Sequence, residues 1–204
     1  MNCNNNISHG EHCSPHGGGR GPSSFWMHDP KIVFNKLDLK PEFNFLDIGC
    51  GPGDYSLEAS RYIDDSGQIY ALDANSRAIA FLKTEIVNRK IDNIFPLIAD
   101  VANPLPIEDH IIDVCFISTA LHAMDLSTVG ESMFSEIKRV LRNTGRLSII
   151  ECQKIESGFG PSLDSRISPE ELEHYLNPFG LKKISITDLG YNYMIQFHLP
   201  VIEE

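Results

Sequence analysis

No segment of this sequence gathers basic side chains, and that absence removes one class of function. Lys and Arg number 17 against 28 Asp and Glu, a formal net charge of −11. A surface that tracks nucleic-acid phosphates needs clustered cations. The pairs Lys182-Lys183 and Lys138-Arg139 are ordinary solvated charge, so no nucleic-acid partner is expected. Long apolar runs are missing too. The longest, "IIDVCFISTAL" (111–121), is interrupted by Asp113 and falls well short of the about 20 residues a spanning helix needs. The N-terminal "MNCNNNISHGEHCS" lacks the apolar core of a secretion signal. No internal repeat is visible, and no G-x-x-x-x-G-K-[ST] phosphate loop occurs. The five cysteines are odd in number and unevenly placed, three of them in strand-like contexts. That is no disulfide framework, and it points to a reducing compartment, the cytoplasm.

What is present divides into two parts. Residues 1–24 are rich in Gly, Asn, Ser and His and offer almost nothing to bury, so they are expected to form a flexible tail. Residues 25–204 carry the pattern of one folded domain. It opens on a short helix in "FWMHDPKIVFNKLDL", with Asp29 as N-cap and Pro30 at the first helical position. Strands are expected at "FNFLDI", "QIYALD", "IFPLIAD", "IIDVCFIS" and "RLSIIEC", with helices at about 54–64, 76–89 and 127–141 between them. In the second of these helices Ile79, Leu82 and Ile86 share one face. Strands that are apolar at nearly every position, alternating with amphipathic helices, indicate a parallel sheet covered on both faces. A helix boxed by Ser168 and Glu171 follows, and then two alternating strands meet around Gly190. The expected fold is therefore α/β: a doubly wound, mostly parallel sheet of seven strands, ending in an antiparallel hairpin.

The segment "FNFLDIGCGPGDYS" carries the chemistry. Gly49, Gly51 and Gly53 follow the first strand, where ligands of open parallel sheets bind. A dinucleotide fingerprint from Gly49 would need its third glycine at Asp54, where a carboxylate would repel a pyrophosphate. A nicotinamide oxidoreductase is thereby disfavoured. What remains is D-x-G-x-G-x-G from Asp47, and an acid before the turn suits a ligand with a cationic end. Asp47, Asp73 and Asp100 also have a plainer reading as turn or cap residues.

With these residues the sequence resembles the class I methyltransferases that use S-adenosylmethionine, over roughly residues 40–200. "EIKRVLRNTGRLSIIE" is most similar to the ubiquinone and menaquinone branch. The resemblance implies S-adenosylmethionine as co-substrate, held by Asp47, Gly49, Gly51, Gly53, Asp73, Ala74, Asp100, Val101 and Ser118. In it Asp73 accepts the ribose hydroxyls, as a carboxylate accepting two bonds can, and Asp100 accepts the adenine amine. It further implies in-line methyl transfer to a small-molecule acceptor, for which alignment in a dry site is the main need. A general base is required only if the acceptor must lose a proton. His122, just past the fourth strand, is the candidate, against a packing role; Glu151, Tyr191 and Tyr193 lie near the same face by topology. The cysteines leave a thiol or metalloid acceptor as an alternative, although Cys50, Cys115 and Cys152 read first as buried fillers. A donor-binding or metal-sensing module without turnover is a reading of another class, motivated by Cys3, His9, His12, Cys13 and His16. Their types suit zinc, copper or nickel but match no structural zinc motif, so no dedicated metal site is expected. Phe25 and Trp26 are candidates for a lid, or for docking the first helix.

Overall fold

The structure is a computed structural model and describes residues 23–200. The tail residues Cys3, His9, His12, Cys13 and His16 lie outside the described residues. A 3-10 turn at Ser24–Trp26 precedes helix α1 (Pro30–Leu37), whose N-cap Asp29 accepts from Lys31 N as expected. Then follow β1 (Phe45–Ile48), α2 (Asp54–Ala59), β2 (Ile69–Asp73), α3 (Ser76–Arg89), β3 (Ile94–Ile98) and β4 (Ile112–Ser118). The chain continues through α4 (Leu126–Val140), β5 (Leu141–Cys152), α5 (Pro169–Leu176), β6 (Lys182–Leu189) and β7 (Asn192–His198). The seven strands form one sheet in the order β3-β2-β1-β4-β5-β7-β6. Strands β1 to β5 pair in parallel, and β7 lies antiparallel between β5 and β6. Strand order reverses between β1 and β4, so the crevice for a ligand opens at the carboxyl ends of those two strands.

Alternate strand positions feed two separate cores, which is why the strands read as continuously apolar. Phe45, Val114, Phe116, Ile150 and Met194 pack with α1, α2 and α3 on one face. Leu46, Cys115, Ile117, Ile149 and Ile195 pack with α4 and α5 on the other. Side chains of this size contribute about 1.5–3 kcal/mol each when fully buried. Ile79 and Leu82 are buried in the first core and Ile86 packs against it, so the face expected of α3 is the one that docks. Ser168 and Glu171 form the full capping box of α5.

Three boundaries differ from expectation. Helix α2 stops at Ala59, because the chain turns to bury Ile63 and to donate Asp64 N to Pro41 O. Strand β5 begins at Leu141, directly after α4, and one residue of β4 there faces a four-residue excursion, Arg142 to Gly145, before regular pairing resumes at Arg146. Strand β3 ends at Ile98 and is covered less than expected. It is an edge strand, so Ile98 is 58% exposed and Pro96 is tolerated without breaking an inner ladder.

Candidate active site

The turn after β1 is fixed by its backbone. Gly49 N and Cys50 N both donate to Leu72 O at the end of β2, at 2.8 and 3.0 Å. Gly51 N donates to Asp73 Oδ2 at 2.8 Å. Gly49, Gly51 and Gly53 all have positive φ, at 68°, 53° and 85°. The two outer positions also lack room: a Cβ on Gly53 would overlap the Leu82 side chain of α3, and one on Gly49 would press on Ala120. Gly51 differs, because among the described residues a Cβ there meets nothing within 4 Å and would project into open space. One glycine lets helices pack, and another leaves a space that a ligand can use.

Around this turn lie two clefts. The first, of about 440 Å³, is lined by Asp47, Gly49, Gly51, Asp73, Ser118 and Thr119, and by Ser23, Ser24, Tyr55, Asn75 and Arg77. The second, of about 410 Å³, is lined by Asp73, Ala74, Asp100 and Val101, with Ala120, Ala123, Met124 and Val129. They share Gly49 and Asp73. Eight of the nine residues expected to hold a donor therefore line one cleft or the other. Gly53 does not, and serves instead as the α2 N-cap.

Asp47 is 1% exposed and accepts from Ser56 Oγ at 2.6 Å. Burial pushes its carboxyl up to about 7, against the Ser56 hydrogen bond, with Asp73 adding like charge. Asp73 accepts from Gly51 N and from Asn75 N, and Asp100 accepts from Ala102 N. The turn-forming role of these two acids is thus real, yet a carboxylate has about four acceptor sites, and both line the clefts. Ser118 Oγ lies 2.8 Å from Ser24 Oγ, which straps the segment before α1 across the β4 end. Phe25 is buried against Tyr55 and docks that segment, whereas Trp26 is 66% exposed. Tyr55 OH lies 2.8 Å from His28 Nε2, and burial pushes the phenol up to about 12.

At the ends of β4 and β5, Glu151 is wholly buried. Its Oε1 accepts from Leu121 N at 2.8 Å and His122 N at 3.4 Å; its Oε2 pairs with His122 Nδ1 at 2.8 Å and accepts from Cys152 N at 3.4 Å. His122, Glu151 and Cys152 offer ligand atoms within 4.8 Å of one another. Each Glu151 oxygen already takes two donors, however, and burial pushes the Cys152 thiol up, away from the thiolate a metal needs. Cys50 and Cys115 are likewise buried thiols pushed up by desolvation. Tyr193 donates to Ile167 O and is buried, so it serves packing. Tyr191 stacks on Phe159 at 4.3 Å and under Arg166 at 5.3 Å.

Sequence reasoning missed Ser24, Tyr55, Asn75, Arg77 and Thr119 in the first cleft. Asn75 had a readable signal, because it is the N-cap of α3. Tyr55 had one too, two residues past Gly53 at the start of α2, whereas Ser24 had none, since only the fold brings the segment before α1 to the end of β4.

A methyltransferase domain model matches residues 39–177. The chain belongs to the methyltransferase domain family. It is 25% identical over 120 residues to a ubiquinone/menaquinone biosynthesis C-methyltransferase of Paraburkholderia phymatum, covering 59% of this chain and 47% of that one. It is 27% identical over 121 residues to a demethylmenaquinone methyltransferase of Lactobacillus johnsonii, covering 59% and 48%. The chain spans about half the length of these relatives. Among solved structures, a SAM dependent methyltransferase from Aquifex aeolicus superposes with TM-score 0.80 at 24% identity, over 89% of this chain and 95% of that chain. The [4+2]-cyclase SpnF shares the fold at TM-score 0.71 and 20% identity, over 84% and 80%. No helix among the described residues is long and apolar enough to cross a membrane.

Proposed function

We propose that the protein transfers a methyl group from S-adenosylmethionine to a small-molecule acceptor in the cytoplasm. The observation that carries this reading is the meeting of two clefts at Gly49 and Asp73, with Asp47 on one side and Asp100 on the other. The donor set fits a ligand that is cationic at one end and a nucleoside at the other. Asp47 would face the cationic end, the Gly49–Gly51 turn and Ser118 would line the methionine part, Asp73 would accept the ribose hydroxyls, and Ala74, Asp100 and Val101 would hold the adenine. When bound, the donor supplies an activated methyl on sulfonium. The chain then needs to align the acceptor and exclude water. The net charge of −11 and the scattered cations favour a small acceptor over nucleic acid. Buried free thiols suit a reducing compartment.

Similarity to a demethylmenaquinone methyltransferase makes a reduced short-chain demethylmenaquinone the first acceptor probe. Incubation of the protein with methyl-labelled donor, that probe and a small-molecule cell extract should give labelled product. Donor binding without any labelled product would favour a non-catalytic donor-binding module.

A further inference from the structure

We propose that His122 accepts a proton from the methyl acceptor, with Glu151 as the residue that positions it. This rests on the methyl-transfer reading above and adds the requirement that the reacting atom of the acceptor carry a proton. The 118–124 segment runs between the two clefts: Ser118 and Thr119 line the first, and Ala120, Ala123 and Met124 line the second. His122 lies within that run, on the 3-10 turn Leu121–Ala123, and itself lines neither cleft, so an acceptor would reach it from beside them. Its side chain is 20% exposed, whereas Glu151 is not exposed at all. The edge of the ring that meets solvent is thus the one away from the carboxylate.

A carboxylate only accepts, so Nδ1 must carry the hydrogen toward Glu151, and Nε2 of the neutral ring is left with its lone pair. Glu151 cannot swing away, because backbone N–H groups of Leu121, His122 and Cys152 also hold it. Among the described residues no Lys or Arg bonds to Glu151, so a proton arriving on His122 would give it its only cationic partner. His28, the other imidazole near the clefts, has both ring nitrogens engaged, by Tyr55 and Asn192. It is therefore poorly placed to act.

The electron pair of the acceptor atom forms the new bond to the methyl carbon. The S–CH₃ bonding pair returns to sulfur, leaving a neutral thioether. The acceptor's proton moves to Nε2, giving an imidazolium facing Glu151, and water later removes it.

Two measurements test this. Nitrogen-15 NMR of the histidines, with S-adenosylhomocysteine added, should show His122 as the Nδ1–H tautomer, and Glu151→Gln should abolish that preference. This needs no acceptor. The second is label transfer to the demethylmenaquinol probe and extract across pH. His122→Ala should keep donor affinity, lower turnover by about 10²–10⁴-fold, and recover in part with added imidazole. An Nε2–H tautomer in the wild type would overturn the proposal. Undiminished turnover in His122→Ala, or a loss that imidazole does not rescue and pH does not alter, would overturn it as well. Failure of the wild type to bind donor or transfer label would instead refute the methyl-transfer reading, while the tautomer still decides the geometry of the pair.

Discussion

Asp47→Asn should make the ligand-free protein more stable at neutral pH while weakening its hold on the donor. Asp47 is buried, and its carboxyl midpoint moves from 3.8 to about 7 on folding. The folded state therefore binds this proton more tightly than the unfolded chain does. Stability from this group is fully present below about pH 4 and is lost as pH rises through 7. At about 1.36 kcal/mol per pH unit, the whole loss is roughly 4 kcal/mol. Asparagine has the same shape and no charge, and its amide oxygen can keep the bond from Ser56 Oγ. Its new buried N–H₂ offsets part of the gain, by about 1–3 kcal/mol if unpartnered. Urea unfolding of both proteins at several pH values isolates the effect. The stability difference, variant minus wild type, should grow by roughly 3 kcal/mol between about pH 4.5 and about pH 8. A flat difference would refute the argument, whatever the absolute stabilities. A cationic ligand beside Asp47 removes the penalty, so donor binding near pH 6 should release protons in the wild type and not in the variant.

Asp73→Ala should weaken donor binding by roughly 1–3 kcal/mol in calorimetry, since a half-buried hydrogen-bond partner is lost; the turn at Gly51, which also bonds Asp73, should loosen in hydrogen exchange. Gly51→Val and Gly53→Ala should separate: both strain a positive φ, but the first fills open cleft space and mainly abolishes donor binding, whereas the second strikes Leu82 and lowers the melting temperature. Arg166 is buried and donates to the carbonyls of Gln153, Ile155, Phe159 and Pro161, so Arg166→Met should expose the 153–165 loop to limited proteolysis and destabilise the protein by at least about 2 kcal/mol. An uncleaved loop in that variant would show that it is held some other way.

The fold was legible because its signals are local and repeated. Asp29 before Pro30, the box at Ser168 and Glu171, and Gly190 between two strands each announce a boundary through a single hydrogen-bonding or φ requirement. That the three acids line the clefts was legible because each lies at or beside the carboxyl end of a strand, a place that chain order fixes. Less visible were features set by neighbours. The end of α2 depends on a contact with Pro41, and the exposure of β3 depends on its place at the edge of the sheet among the described residues. The strap from Ser24 to Ser118 joins residues 94 apart in sequence, and no period or spacing reports such a contact. Glu151 could be read only as near His122; that it holds the ring at 2.8 Å needed the register of β4 against β5.

A crystal structure with S-adenosylhomocysteine, supported by calorimetry for stoichiometry, is the most direct test of donor binding at this site. One molecule per chain should lie across both clefts, the ribose hydroxyls on Asp73, the adenine beside Asp100 and Val101, and the amino-acid end beside Asp47 and Gly51. Absence of binding at millimolar ligand, or a molecule bound with Asp73 and Asp100 untouched, would contradict it.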